Sequence, residues 1–207
     1  MTSKIPDWLK FPMVLFVVAV VSAASLAGLW ALTTPVKRAI EGRITEDALK
    51  VVFPSATSFV EKSAAINGHT FVYREAMDGD ELAGYVAEGM GTGYSSILKV
   101  MVGVDADFVV QGIKVLSQKE TPGLGDKVEE IISKKTWGTV LFGTNPDETD
   151  LRPWFQQQFD GQQAPVDVQK DGGQIEAITG ATISSRAVCK AVNQAVEELK
   201  TAVGSDE

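Results

Sequence analysis

An uncharged, apolar run near the N-terminus constrains the fold of this chain more than any other feature. No Asp, Glu, Lys or Arg lies between Lys10 and Lys37, and residues 11–32 are rich in Val, Leu and Ala. This length is close to the ~20 residues that a helix needs to cross a bilayer, and a helix satisfies its own backbone hydrogen bonds in lipid. We therefore predict a membrane anchor over residues 1–36 and a separate domain over residues 37–207.

The flanks of the run leave its processing and orientation less well defined. Small residues from Ser22 to Ala27 also fit a cleaved signal peptide, but the apolar stretch continues to Leu32, which is longer than a typical signal core. Trp8 and Trp30 lie near its two ends, where indole rings favour the membrane interface. The basic residues after the run lean towards a cytoplasmic domain by charge counting, or leave the orientation undecided.

Composition excludes several classes of chemistry. The chain of 207 residues has a formal net charge of −8 and no basic stripe, so nucleic acid is a poor partner. Its single cysteine, Cys189, and single histidine, His69, cannot form a disulfide framework, and they argue strongly against a zinc, haem or iron–sulfur site built from this chain alone. We predict no metal site and no catalytic residues, with Cys189 as a packing residue and His69 exposed. Any redox chemistry must come from an organic cofactor.

The remainder of the chain has the pattern of an α+β domain. Asn67-Gly68 and Asp78-Gly79 are tight-turn signals, and short connections require antiparallel pairing. We predict strands at residues 71–74, 82–88, 97–104, 109–116, 166–168 and 175–178. Helical spacing of apolar residues predicts helices at residues 44–52, 127–134, 151–159 and 184–200. The fold class is therefore α+β, with one N-terminal transmembrane helix followed by a mixed, largely antiparallel sheet and packed helices.

The segment before the last predicted helix has the composition of a phosphate site. Gly180 permits a tight turn, and Ala181 keeps side-chain bulk away from a ligand. Thr182, Ser184 and Ser185 place hydroxyls near a helix N-terminus, where free N–H groups and the helix dipole favour an anion. Ser and Thr are also ordinary helix caps, so this pattern alone leaves a phosphate site and a plain cap both open.

The same segment carries a resemblance to a known family. Thr179-Gly180-Ala181-Thr182 resembles the flavinylation motif of the FMN-binding domain found in the Rnf and Nqr respiratory complexes. In that family a flavin transferase moves FMN from FAD onto the last hydroxyl of the motif. The resemblance therefore implies FMN joined covalently, through its phosphate, to Thr182. Glu176 stands where the family usually has Asp.

Two other stretches resemble the same family and follow its order, at residues 91–96 and 120–125. The second resembles the loop that approaches the bound flavin. Its Pro122 fixes a turn and its glycines let backbone come close to a flat ring, although an ordinary Gly/Pro loop has the same composition. The resemblance implies further cofactor contacts from Thr179, Gly180, Ala181, Ser184, Ser185, Glu120, Thr121, Gly123 and Leu124.

The resemblance also implies a function. Within the family, chain length favours the G subunit of the Rnf complex, a ferredoxin:NAD oxidoreductase that moves Na⁺ or H⁺, over the C subunit of the Nqr complex. The chain would be an electron carrier, not an enzyme by itself, in the bacterial inner membrane with its domain on the periplasmic or outer side. The implied partners are other membrane subunits and the flavin transferase. Alternatives are the Nqr C subunit, a flavin-free membrane scaffold, and a secreted enzyme after signal cleavage.

Overall fold

The structure, a computed structural model, describes residues 7–66, 68–131 and 152–204. Its contacts divide the chain into two units, residues 1–44 and residues 45–207. The functional division predicted at residues 36 and 37 stays a prediction.

The N-terminal helix, α1, runs over Asp7–Val52. From Lys10 onwards it is long and apolar enough to cross a membrane, judged by length and composition. Phe11, Leu32 and most apolar side chains between them are exposed, as lipid-facing side chains of a membrane helix are. The short helix predicted at residues 44–52 is the last part of α1, not a separate element.

Five antiparallel strands form the sheet, and they pair in the order in which they follow along the chain. Their bounds are Ser58–Ile66 (β1), His69–Asp78 (β2), Glu81–Thr92 (β3), Ile97–Asp105 (β4) and Val110–Ser117 (β5). The α+β class is confirmed, and so are the four strands predicted at residues 71–74, 82–88, 97–104 and 109–116, which correspond to β2 to β5. No strand was predicted at the position of β1. It is an edge strand whose side chains are mostly exposed, so its sequence lacks a clear apolar alternation.

Within residues 152–204, two further α-helices are present: the short α2, Trp154–Gln157, and the C-terminal α3, Thr182–Gly204. α3 covers one face of the sheet, and the predicted helix at residues 184–200 is confirmed and is longer at both ends. β3 lies directly beneath α3, because a Cβ at Gly89 or Gly91 would overlap the carbonyl oxygens of Ala191 and Ala187. These glycines allow helix backbone and strand backbone to touch.

The opposite face of the sheet packs against the last turn of α1. Ala48, Leu49 and Val52 form a second core cluster with Phe53 and with sheet residues Ala76, Val86 and Met101. A Cβ at Gly103 would lie 2.7 Å from the carbonyl oxygen of Val52, so this contact also needs a glycine. The sheet is therefore covered on both faces.

The helix predicted at residues 127–134 is wrong over its described part. A short 3₁₀ helix covers Gly125–Glu129, Glu130 is extended, and Ile131, expected to face inward, is 52% exposed. At this end, Nε2 of the Gln156 side chain donates to the carbonyl oxygen of Val128 at 2.8 Å, a contact from a distant segment. Residues 132–134 lie outside the described residues.

Two further predictions after β5 need correction. Of the helix predicted at residues 151–159, only α2 is helical; Leu151 and the predicted loop at residues 143–150 lie outside the described residues. The strands predicted at residues 166–168 and 175–178 reduce to one isolated parallel bridge between Val168 and Ile175. The backbone of Val166 pairs instead with the side chain of Asn193 on α3, at 2.8 and 2.9 Å.

Candidate cofactor-binding site

A cavity of about 590 Å³ lies where the turn after β3, the loop after β5 and the start of α3 meet. Its volume is within the ~300–1,000 Å³ of small-molecule sites. Tertiary structure thus brings together two stretches that are distant in sequence. The cavity is lined by Tyr94, Glu120, Thr121, Leu124, Gly125, Lys170, Gly180, Ala181, Thr182, Ile183 and Ser184.

The start of α3 supplies hydrogen-bond donors to this cavity. Gly180 has φ +82°, a conformation that glycine adopts readily, and the N–H of Ala181 closes the turn onto the carbonyl oxygen of Ile178 at 2.9 Å. Thr182 is the first residue of the helix. Among the described residues, no acceptor binds the N–H groups of Thr182, Ile183 and Ser184. Such free N–H groups are the usual ligands of an anion at a helix N-terminus.

Some residues predicted for the site lie outside the cavity lining. The hydroxyl of Ser185 is fully buried, accepts from the N–H of Ile178 at 3.0 Å and donates to the carbonyl oxygen of Ala181 at 3.0 Å. Through these two hydrogen bonds, Ser185 stabilises the turn at residues 178–181 without contacting the cavity. Thr179 and Gly123 are exposed and do not line the cavity either. Their part in cofactor binding stays a prediction.

Glu120 connects the three segments around the cavity. Its Oε2 accepts hydrogen bonds from the hydroxyl of Ser184 at 2.6 Å and from the N–H of Tyr94 at 3.1 Å. Its Oε1 accepts from the N–H of Ser95 at 3.1 Å, and from the N–H and hydroxyl of Ser96 at 2.9 Å each. We call these five residues the Glu120 network. It ties the β3–β4 turn, the loop after β5 and α3 to one carboxylate.

The Glu120 network keeps this buried carboxyl ionised. Burial, which leaves Glu120 only 6% exposed, by itself raises the pKa of the carboxyl. The hydrogen bonds from Ser184 and Ser96, with the N–H groups of Ser95 and Tyr94, outweigh it and hold the pKa below its usual range. The carboxylate is a fixed acceptor within the protein, because its lone pairs are already used.

Two glycines leave room for the Glu120 side chain. A Cβ at Gly93 would lie 2.6 Å from its Oε1, and a Cβ at Gly125 would lie 2.7 Å from its Cβ. This contact explains why the glycines of the two stretches flank the site. A substitution at either position would displace Glu120.

On the other side of Thr182 lies a cluster of charged residues near the protein surface. Lys170 donates from Nζ to the hydroxyl oxygen of Thr182 at 3.1 Å. Asp171 binds Arg186 through both carboxylate oxygens, at 2.6 and 2.7 Å, and this guanidinium lowers the pKa of Asp171 below its usual range. We call Lys170, Asp171, Arg186 and Thr182 the Lys170 cluster. Sequence analysis missed Lys170, because one Lys in a polar stretch gives no local signal.

The cavity also has large apolar side chains at its rim. Tyr94, Leu124 and Ile183 are 73%, 44% and 49% exposed, respectively. Leu124 follows a turn closed by its N–H onto the carbonyl oxygen of Thr121 at 3.1 Å, with Gly123 at φ +78°. Exposed apolar groups around a cavity with polar donors at one end match a ligand with a flat apolar part and an anionic tail.

The described residues offer little other redox or metal chemistry. They contain no group of three or more His, Cys, Asp or Glu side chains that could hold a metal ion. Burial, together with the nearby charge of Asp167, raises the pKa of the Cys189 thiol to about 12, so it packs as an inert side chain within the core. His69 is exposed, as predicted.

Comparison with known families identifies the domain. Residues 93–197, more than half of the chain, match the FMN-binding domain family. The matched range contains every residue that lines the cavity. The chain therefore belongs to the FMN-binding domain family.

Two relatives of this chain, from different organisms, have the same name. A protein of Aliivibrio fischeri (strain MJ11), named as the G subunit of an ion-translocating oxidoreductase complex, is 38% identical over 130 residues, which are 63% of this chain and 55% of that protein. A protein of the same name from Methanosarcina acetivorans is 28% identical over 202 residues, 94% of this chain and 96% of that protein. At the higher identities, the chain spans about half the length of the curated relatives that it matches.

Among solved structures, the crystal structure of Shewanella oneidensis NqrC is 22% identical to this chain. The superposition covers 76% of this chain and 71% of that one, with a TM-score of 0.47.

Proposed function

We propose that this chain is the membrane-anchored, FMN-carrying electron-transfer subunit of an Rnf-type ion-translocating oxidoreductase complex, with FMN joined through its phosphate to Thr182. Membership of the FMN-binding domain family and the names of the relatives support the class of function. One observation carries the attachment site: the Thr182 hydroxyl lies at the start of α3, beside the cavity and 3.1 Å from Lys170 Nζ.

The phosphate end of FMN fits the residues around Thr182. Three backbone N–H groups, at Thr182, Ile183 and Ser184, are free to donate to phosphate oxygens within the part of the chain that the structure describes. Lys170 adds a positive charge at the same hydroxyl. The turn at Gly180 brings no side chain into this space, and Ala181 brings only a methyl group.

The ring end of FMN fits the rim of the cavity. Leu124, Tyr94 and Ile183 offer apolar surface to a flat ring, and Thr121 offers a hydroxyl to its polar edge. When bound, FMN supplies the electron transfer, and the task of the protein is to bind and orient it. The Glu120 network performs that task by fixing the segments that carry Tyr94, Leu124 and Thr182.

Several wider features belong to the same proposal. Residues 1–36, which include the first part of α1, form the membrane anchor, and residues 37–207 form the domain on the outer side of the inner membrane. Other subunits of the complex and a flavin transferase are the partners. The C subunit of an Nqr complex is the less favoured candidate, because the named relatives are G subunits of an ion-translocating oxidoreductase complex.

The experiment is in-gel flavin fluorescence of the denatured full-length chain, produced in the membrane of a host that has the flavin transferase. Thr182→Val keeps the shape of the side chain but removes the hydroxyl, so we expect its band to be dark. Thr182→Ser keeps a hydroxyl, and we expect it to retain fluorescence. Thr201→Val removes an exposed hydroxyl elsewhere on α3, outside the cavity, and is the matched control, which we expect to stay bright.

The outcomes separate the alternatives. A bright Thr182→Val band would place the covalent bond elsewhere. A dark wild-type band, with the transferase active on a known substrate in the same cells, would leave the flavin-free scaffold as the better explanation.

A further inference from the structure

We propose that Lys170 is the cation that pairs with the phosphate at Thr182, and that Arg186 keeps Lys170 available by binding Asp171. The inference rests on the proposed function and deepens it, because it assigns the counter-charge of the cofactor. The ligand class is a phosphate ester that keeps one negative charge.

Lys170 already points its charge at the atom where the ester would form. Its Nζ donates to Oγ1 of Thr182 at 3.1 Å, although a neutral hydroxyl is a weak partner for an ammonium group. A phosphate ester on Oγ1 would place anionic oxygens next to the same ammonium. Charge-assisted hydrogen bonds of this kind are about twice as strong as neutral ones. The contact therefore improves when the ester is present.

No ion pair within the described residues neutralises Lys170. The nearest candidate in sequence is Asp171, which lies beside it on the short 3₁₀ helix Gln169–Asp171. Both oxygens of Asp171 are bound by Nε and Nη2 of Arg186, at 2.6 and 2.7 Å. No carboxylate among the described residues lies within ion-pair distance of Lys170. The charge of Lys170 also helps to lower the pKa of Asp171, but no ion pair among the described residues occupies the ammonium.

Arg186 also positions the turn that carries Lys170. It follows Thr182 by one helical turn, so both residues lie on the same side of α3. The bidentate pair between Arg186 and Asp171 joins that side of the helix to the 3₁₀ turn, and a planar guanidinium fixes the geometry of such a pair. Arg186 is therefore a positioning residue with two effects: it holds the turn and it occupies the competing carboxylate.

The first experiment measures how fast flavin is attached to the full-length chain in cells that have the transferase. We expect early labelling to fall severalfold in Lys170→Gln, because the charge that stabilises the phosphate is gone. Lys170→Arg keeps the charge and should label nearly as well as wild type. Lys190→Gln, at an exposed position on α3, is the matched control and should not differ from wild type.

The second measurement is the ³¹P resonance of the labelled protein after purification, which reports on the phosphate itself. The resonance should move in Lys170→Gln, return towards the wild-type position in Lys170→Arg, and stay unchanged in Lys190→Gln. Because Lys170 is exposed, these substitutions leave the core intact.

A third comparison tests the role of Arg186. Arg186→Gln frees Asp171 to pair with Lys170, so we expect a severalfold loss of labelling. Asp171→Asn together with Arg186→Gln removes the competing charge, so labelling should rise above that of Arg186→Gln, while the pair that holds the turn is still absent. A residue that only stabilised the fold would not show this rescue.

Three results would overturn the inference. One is unchanged labelling and an unchanged ³¹P resonance in Lys170→Gln. Another is equal loss in Lys170→Gln and Lys170→Arg, which would mean that the transferase needs the lysine itself and not its charge. The third is a double variant that labels no better than Arg186→Gln. A dark wild-type protein is a different result: it refutes the proposed function, and this inference with it.

Discussion

Two charged side chains flank the same cavity and are treated in opposite ways by the fold. Glu120 is 6% exposed and accepts five hydrogen bonds from the protein. Lys170 is exposed, and its contact in the site is with the hydroxyl of Thr182. A buried charge must be satisfied internally, whereas an exposed one can remain available. The difference separates the charge that builds the site from the charge that we propose to bind the cofactor.

Their energetic consequences differ for the same reason. Removing Glu120 would leave donors on two segments, the β3–β4 turn and α3, without their acceptor, and each unsatisfied donor is costly. Removing a surface charge leaves water in its place, so stability changes little. The comparison can therefore be tested by substitutions whose effects on stability and on labelling diverge.

The largest effect is expected from Glu120→Ala. Loss of the shared acceptor should reduce the free energy of unfolding by about 3 kcal/mol, since several donors lose a partner at roughly 1–3 kcal/mol each and entering water restores part of it. Thermal unfolding of the full-length chain in detergent, followed by tryptophan fluorescence, measures the change. Glu129→Ala removes an exposed carboxylate after the same loop and is the control. A comparable loss in both variants would contradict the network.

A smaller effect is expected on acidification. The pKa of Glu120 is lowered in the folded protein, so its contribution to stability is present above its ordinary value of 4.5 and is lost as pH falls through the lower folded value. In the variant Glu120→Gln, the amide side chain at position 120 has no proton to titrate in this pH range. The stability difference between wild type and this variant should therefore be largest at neutral pH and narrow below pH 4.5. A difference that stays constant down to acid denaturation would show that the charge of Glu120 contributes nothing.

The smallest effect is expected from Asp171→Asn. Asp171 and Arg186 form a surface ion pair, and such pairs add little to stability in water. We expect no resolvable change in the unfolding temperature. Flavin labelling should fall less than in Arg186→Gln, because the turn loses its bidentate pair but no free carboxylate competes for Lys170. A fall in stability comparable to that of Glu120→Ala would remove the distinction between the two sides of the cavity.

The regular part of the fold could be predicted from local patterns. α3 repeats at helical spacing and buries one face, whereas β3 to β5 are apolar runs bounded by turn signals, with both faces buried in the middle of β3 and β4. Irregular segments could not be predicted in this way. The strand expected at residues 166–168 is absent because Asn193, distant in sequence, pairs with the backbone of Val166. The helix expected from residue 127 is a short 3₁₀ helix that ends at Glu129, where the side chain of Gln156, distant in sequence, binds the carbonyl of Val128.

The candidate site also has some features that local sequence patterns indicate and others that depend on contacts between distant segments. The motif around Thr182 and the loop of Glu120 could be identified from sequence, because turn residues and a helix start have local signatures. The role of Glu120 could not, since its partners Ser96 and Ser184 come from other segments. Lys170 was missed entirely, because only the packing of the 3₁₀ turn on α3 places it at the Thr182 hydroxyl.

By itself, the sequence determined the apolar helix, the α+β class and the start of α3, because each depends on neighbours a few positions away. The proposal that Thr182 carries the flavin came from the resemblance of residues 179–182 to a family motif. Only the tertiary structure decided which side chains surround that residue, which carboxylate is buried and which ammonium is left exposed. The physical reason is that burial and hydrogen-bond partners are properties of contacts between distant segments. A local pattern cannot specify those contacts.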